Sequence, residues 1–516
     1  MIQSTPTRTD RPRLAEVISA TAARVLALPW AWSVALVLGV TTLIARSPGI
    51  VFTGLFDRDE AFLQVMGGVV GRGGQMYVDV IDRKPPIVPY LYAAVHELSV
   101  DMRWVRLLCA FAIFLDGVVV VALVQRLVSN RRAALAAGVL AVLGTALFLP
   151  ADAQAANFEL WGLLPASAAI CAVVIARDTP RWRPWLFLLA GACVAIAANC
   201  KQPYIVVFAP VLFEAVRTFS DRRRSVVPVV AVIGGAVLAT LPLLAVADPL
   251  RMWRWGWADN GDYLNGGIST SRALAVGAGL TLVFALFHLP LLYGCWAALR
   301  RRVRIDPVLL VWLAVTVLVL PIGLRFFGHY YQQLVPPLAA ITGVALATAT
   351  RAAWRTVAAL TVVSTVALVG LAFVHPADLS NFTAVGRYVQ STTAPSDRIL
   401  VWGALPDVYV SADRAPAGVF LHDGYLTGNW ASRDSVLDAS IVTSEPYRSR
   451  WAIFLADLDD DPPAIIIDAA RPGTDWAGYS PDRYPLGALL HRCYSRVAVV
   501  DGLPVWRRDP LRCPVA

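Results

Sequence analysis

Residues 27–60 read ALPWAWSVALVLGVTTLIARSPGIVFTGLFDRDE: an uncharged apolar run over 27–45, a short connection, then Asp57-Arg58-Asp59-Glu60. At 1.5 Å of rise per residue the run is long enough to cross a hydrocarbon core about 30 Å thick. Comparable runs recur along most of the chain. Apolar residues make up 57% of it and charged residues 16%, against roughly 25% charged in soluble globular proteins. This composition excludes a soluble enzyme and predicts a polytopic α-helical membrane protein.

The net charge of +9 does not point to nucleic acid, because the arginines gather in short tufts between apolar runs. The tufts are Arg126/Arg131/Arg132, Arg177/Arg181/Arg183, Arg217/Arg222/Arg223/Arg224, Arg300/Arg301/Arg302/Arg304 and Arg351/Arg355. Such tufts mark cytoplasmic loops, and they fix the direction of each crossing. Spans are expected at 27–45, 105–124, 133–150 and 160–176. A tight helix pair follows over 186–216, broken near Asn199-Cys200-Lys201-Gln202-Pro203. The remainder are expected at 226–247, 273–298, 307–324, 332–349 and 356–374. That makes about eleven transmembrane helices, with the N-terminus (Arg8, Arg11, Arg13) cytoplasmic and retained and the C-terminus outside. Residues 46–103 then form a large first outer loop. Within it the run 86–98 is too short to span and is expected to lie along the interface, held by Tyr90, Tyr92 and His96.

From about residue 376 charges and turn residues become frequent, and β-type runs appear at 399–402, 464–467 and 497–500. The expected organisation is a membrane domain over 1–375 and an extracytoplasmic α/β domain over 376–516, set in the cell inner (plasma) membrane. Five of the seven cysteines (Cys109, Cys171, Cys193, Cys200 and Cys295) sit in or beside apolar spans as packing residues. Cys493 and Cys513 lie in the polar C-terminal region, where an oxidising compartment would allow them to pair.

With this threading the unusual charges collect on the outer side: Asp57, Asp59, Glu60, Arg83, Lys84, Asp152, Glu159, Lys201, Asp259, Asp262, Arg325 and His329. Outer-face cations run against the positive-inside trend and need a reason. Acids and cations meeting at one membrane face suit proton transfer beside a phosphate. Each also has a plain structural reading: Glu159 as a helix cap, Asp57 as a solvated acid, His329 as an interfacial anchor, Lys84 as a snorkelling lysine. Asp116 and His288, inside spans, are expected to be satisfied by neighbours.

Asp59-Glu60-Ala61, then Gly73-Gly74-Gln75-Met76-Tyr77-Val78-Asp79, then Asp82-Arg83-Lys84-Pro85-Pro86 resembles the first outer loop of the C-type (GT-C fold) membrane glycosyltransferases. The likeness is to the glycosyltransferase family 39, protein-mannosyltransferase-like and lipid A aminoarabinose transferase-like group. Asn157-Phe158-Glu159, Lys201-Gln202-Pro203, His329-Tyr330-Tyr331 through Pro337, and Val401-Trp402-Gly403-Ala404-Leu405-Pro406-Asp407-Val408-Tyr409 agree with it. The resemblance implies transfer of a sugar from a polyprenyl-phosphate donor to an outer-face hydroxyl of a cell-wall glycan, glycolipid or protein, with inversion. It implies Asp59 as general base, Glu60 as an orienting acid, and Lys84 on the lipid phosphate. Arg58, Lys201, Arg325 and His329 become further phosphate contacts. Glu159 matches a second acidic position, although it follows Asn-Phe where some members carry an Asp-containing form.

A lipid donor already resident in the membrane needs no nucleotide pocket, and neither a cofactor nor a metal ligand set is read from the spacing. The Gly67–Gly74 stretch is expected to be a turn in the loop. Two rivals remain at this level. A transporter or flippase for a lipid-linked sugar would carry polar residues at midplane in matched halves, and a non-catalytic scaffold would use the spans as anchors only.

Overall fold

A computed structural model describes residues 29–217, 226–264, 268–376, 382–430, 437–470 and 476–513. The basic N-terminal residues Arg8, Arg11 and Arg13, the tuft Arg222–Arg224 and the Asp262 side chain lie outside the described residues.

The chain opens with α1 (Trp30–Val51), α2 (Arg58–Gly71), α3 (Ile87–His96), α4 (Met102–Val128), α5 (Arg131–Gly144), α6 (Phe158–Ala176), α7 (Arg183–Cys200) and α8 (Phe208–Arg217). It continues with α9 (Val226–Val246), α10 (Pro249–Gly256), α11 (Thr270–Phe287), α12 (Leu289–Arg300), α13 (Pro307–Val319), α14 (Val335–Leu346) and α15 (Arg351–Val374). Seven of the described helices are long and apolar enough to cross a membrane: α1, α4, α6, α7, α9, α11 and α15. The expected spans at 133–150, 307–324 and 332–349 are instead helices of 14, 13 and 12 residues. Short 3-10 or irregular pieces extend them. The expected span at 273–298 is broken at His288 (φ −98°, ψ 24°), just before Pro290. The His288 ring bonds the carbonyls of Phe284 and Gly144 and is satisfied as expected. Asp116 is likewise buried, with the Ser167 hydroxyl as its polar neighbour.

Two charge clusters mark opposite ends of α6. At its C-terminal end Arg177 forks onto Glu214 of α8 (2.7 and 2.8 Å) and Asp306 (2.6 and 3.0 Å), which caps α13. At its N-terminal end Glu159 pairs with Lys201. The segment 183–217 therefore leaves the first cluster, reverses at Lys201, and returns. Lys201 is extended (φ −153°, ψ 132°) and separates α7 from the 3-10 turn that begins at Gln202. The reversal falls inside the stretch 199–203 that the sequence marks. Helices α7 and α9 approach closely because Gly191 and Gly235 face each other's partners. A Cβ at Gly191 would lie 1.9 Å from the Val232 carbonyl oxygen, and one at Gly235 1.8 Å from that of Leu188.

The outer loop is itself folded. Gly67 and Gly68 lie inside α2, packed on Tyr92 and His96 of α3, so the glycine-rich turn is confined to Gly73 (φ 92°) and Gly74. Tyr92 is turned inward, buried, donating to the Ala156 carbonyl at 3.0 Å. It is a packing residue of the loop, where the sequence suggested a headgroup anchor. The pleat of apolar side chains on α3 is answered by α2, and that burial supplies the reason.

Beyond the bundle, α16 (Thr383–Thr392), β1 (Ile399–Trp402), α17 (Pro406–Ala412), α18 (Tyr447–Asp460), β2 (Ile465–Asp468), α19 (Pro485–Cys493), β3 (Tyr494–Val500) and β4 (Leu503–Arg508) form a small α/β unit. The sheet order is β1-β2-β4-β3, with β1 parallel to β2 and the other pairs antiparallel. The three foreseen strands are β1, β2 and the end of β3. The fourth follows from Asp501-Gly502, both at positive φ (53° and 74°), the two-residue turn that matches strand twist. Cys493 and Cys513 are disulfide-bonded. The unit is laced to the outer loop by the Ile81 N–H, which donates to the Val419 carbonyl at 2.8 Å, and to the turn after α10 by Arg450, which pairs with Asp259 at 2.8 Å. A polytopic α-helical bundle carrying a C-terminal α/β unit is the architecture.

Candidate active site

Asp57 is the N-cap of α2, its carboxylate accepting from the Arg58 N–H at 2.7 Å, with Asp59 and Glu60 in the first turn. Acids are favoured there by the free N–H groups and the positive end of the helix dipole. Consecutive helical residues point about 100° apart, so the two acids part company. Glu60 turns inward and is fully buried. It accepts from Arg106 Nε (2.8 Å) and Nη2 (2.6 Å) and from the N–H groups of Phe56 and Ala156 (both 3.1 Å). Arg106 also donates to the carbonyls of Gly49, Phe52 and Gly54. This pair rivets the chain between α1 and α2.

Asp59 turns the other way, toward Lys84. Its Oδ1 lies 3.1 Å from Lys84 Nζ, which is also 3.9 Å from Asp82 Oδ2 and 4.4 Å from the centre of the Phe158 ring. Tyr77, at φ 68°, donates its hydroxyl to the Lys84 carbonyl at 2.8 Å and fixes the backbone there. Behind Asp59 stands His329. Its Nδ1 is 2.9 Å from Asp152 Oδ1, and its Nε2 is 3.9 Å from Asp59 Oδ2 and 3.8 Å from Glu159 Oε1. Lys201 pairs with Glu159 and stands over the Tyr330 ring at 4.2 Å.

Electrostatics follow from this crowding. Burial acts to raise the Asp59 carboxyl, but Lys84, then His329, Lys201 and Arg83 overcome it and hold the group well below the usual carboxylate range. Asp57 lacks such a partner. Burial first, then the neighbouring Asp59 charge, pushes it up to about 6. Burial would lower His329, yet Glu159 and the bond to Asp152 raise it to about 9, so the imidazole is a cation at neutral pH. Burial likewise opposes the Lys84 ammonium, and Asp59 and Asp82 raise it above its ordinary value.

Asp57, Arg58, Asp59, Asp82, Arg83, Lys84 and His329 line a cavity of about 220 Å³. Its far wall comes from the α/β unit and the 263 region: Tyr263, His422, Tyr425, Trp430 and Trp476. Glu159 and Lys201 stand one shell back, joined through His329 and Tyr330. Arg325 does not line the cavity; it donates to the Tyr263 carbonyl at 3.2 Å and lies 4.8 Å from that ring. Glu60 does not line it either. His329 is buried among carboxylates, so the anchor reading fails. Asp57 is held by the Asn157 amide at 3.0 Å, which replaces the solvated reading.

Sequence reasoning passed over Asp57, Asp152 and Arg83 as site residues. The capping position before α2 was a usable signal for the first; nothing local announces Asp152 or the aromatic wall. Among the described residues no group of three or more His, Cys, Asp or Glu is placed to hold a metal ion.

Residues 83–248 match the family described as dolichyl-phosphate-mannose-protein mannosyltransferase. No curated protein matches the chain. Among solved structures, ArnT from Cupriavidus metallidurans bound to undecaprenyl phosphate superposes with a TM-score of 0.56 at 15% identity, covering 96% of this chain and 99% of that one. The archaeal oligosaccharyltransferase AglB from Archaeoglobus fulgidus, in complex with an inhibitory peptide and a dolichol-phosphate, gives 0.53 at 12%, covering 94% and 75%. The arabinofuranosyltransferase AftD from Mycobacteria gives 0.52 at 13%, covering 94% of this chain and 40% of that one. The chain is a polytopic membrane protein with the GT-C fold of these glycosyltransferases.

Proposed function

We propose that the protein is a glycosyltransferase that moves one sugar from a polyprenyl phosphate to an acceptor hydroxyl on the extracytoplasmic face, with inversion. The observation that carries the reading is the Asp59–Lys84 contact at 3.1 Å inside a mixed-charge cavity. The size of that cavity suits a single sugar ring better than an oligosaccharide.

Lys84 holds Asp59 ionised and weakly basic. A donor phosphate is a stronger partner for the ammonium, and drawing Lys84 toward it raises the proton affinity of Asp59 at the moment the base is needed. Asp59 then takes the acceptor O–H proton while the acceptor oxygen forms its bond to the anomeric carbon. The bond from that carbon to the phosphate oxygen breaks on the opposite face, and the electron pair leaves with the phosphate. Lys84, Arg58 and Arg83 stabilise the departing charge. Cationic His329, held by Asp152 and Glu159, keeps the carboxylates from repelling one another, and Glu60 positions the helix that presents Asp59. The acceptor class is a cell-envelope glycan, glycolipid or protein.

The test uses purified protein in nanodiscs with radiolabelled polyprenyl-phosphate sugars and a cell-envelope extract. Wild-type transfer that Asp59→Asn abolishes and Lys84→Ala weakens, with donor still bound by Asp59→Asn, supports the reading. Full transfer by Asp59→Asn removes the base. Donor movement across liposomes without transfer from any donor assigns the protein to transport.

A further inference from the structure

The proposed donor leaves open which part of the molecule reads its sugar. The bundle side of the cavity is charged and is occupied with Asp59, Lys84 and His329. The opposite side is aromatic and comes largely from the loop after Phe420. There Trp430 and Tyr425, 2% and 1% exposed, meet edge to face with ring centres 4.7 Å apart. Both line the cavity. Neither the Trp430 indole N–H nor the Tyr425 hydroxyl has a hydrogen-bond partner among the described residues. Buried polar groups are ordinarily paired, and an unpaired one costs about 1–3 kcal/mol, so two in one wall point to a ligand that completes them.

The surroundings say what kind. Arg83 lies 3.8 Å from the Tyr263 ring centre and 5.4 Å from that of Trp430. His422 is tilted against Trp430 at 5.1 Å, and burial, then Arg83 and Lys84, hold its imidazole neutral. Flat aromatic faces carrying an N–H and an O–H donor that no described protein group satisfies are the complement of a pyranose or furanose, which offers C–H faces and hydroxyl acceptors. The wall is also held in place, by the Ile81–Val419 hydrogen bond and by Arg450 on Asp259.

We infer that Trp430 and Tyr425 form the sugar-recognition wall of the donor site, so that the α/β unit, and not the helical bundle, sets selectivity among donor sugars. This rests on the donor reading above. The experiment measures binding of bare undecaprenyl phosphate and of a panel of polyprenyl-phosphate hexoses and pentoses to wild type, Tyr425→Phe and Trp430→Phe. Tyr425→Phe deletes only the hydroxyl and keeps the packing.

Each variant is expected to lose about tenfold in affinity for the preferred sugar lipid. Affinity for bare undecaprenyl phosphate and the melting temperature should stay near wild type, and the ranking of sugars should flatten. An unchanged ranking in both variants overturns the wall while leaving the donor reading intact. If wild type binds no sugar lipid more tightly than the bare phosphate, the donor reading falls and the wall with it. Equal loss for bare and sugar-bearing lipids reduces both residues to packing.

Discussion

At the scale of single residues, Asp59 and Glu60 are neighbours in sequence and opposites in role. Replacing Asp59 with Asn should lower transfer by roughly 10²–10⁴, a larger effect than its effect on melting temperature. Glu60→Gln should do the reverse. It weakens a buried pair whose arginine then lacks its charge partner, a loss on the order of 3 kcal/mol, read as a fall in the detergent melting curve that exceeds the fall in kcat. His329 gives a pH signature. Its folded value, about 9, is above the ordinary value near 6.5. Its contribution to stability is therefore complete below about pH 6.5 and lost as pH rises through 9, at most ~3 kcal/mol. The melting temperature should decline across that window, and His329→Gln should remove the decline. Asp59 and Lys84 could be picked out of the sequence because their spacing belongs to a recurring pattern. Asp152 could not, because its role comes from what stands opposite it, His329, 177 residues away.

At the scale of elements, the hydropathy of the long spans was readable because a crossing requires a long apolar run and little else. Helices α13 and α14 are shorter than the apolar runs at 307–324 and 332–349: Pro and Gly around 321–323 follow the end of the first, and a 3-10 turn at 328–334, whose polar residues are spent on the site, precedes the second. The α7–α9 contact depends on having no side chain at Gly191. Gly191→Leu should separate the helices and cost several kcal/mol by overpacking, seen as loss of the monodisperse peak on size-exclusion chromatography. Gly39, where an added Cβ meets nothing within 4 Å, supplies the control: Gly39→Ala should be neutral or slightly stabilising, as expected in a helix interior with open space beside it.

At the scale of the whole molecule, the cavity exists only because the α/β unit closes over the outer loop. The proposed orientation places that unit outside the cell and the Arg300–Arg304 tuft inside. A cysteine placed at Leu511, which is 96% exposed, should react with an impermeant maleimide in intact cells. One placed at Arg301 should react only after lysis, and the opposite pattern would reverse the topology.

The sequence by itself determined the membrane class, the direction change at 199–203, three of the four strands and the charged loop that carries Asp59 and Lys84. These are local properties: hydropathy, proline and glycine punctuation, and motif spacing. Tertiary structure alone decided that Glu60 is a rivet, that His329 gathers three carboxylates, and that Tyr425 and Trp430 face Lys84 across one cavity. Those relations join residues from tens to hundreds of positions apart, and their energies depend on distance and burial in space, which no local pattern encodes.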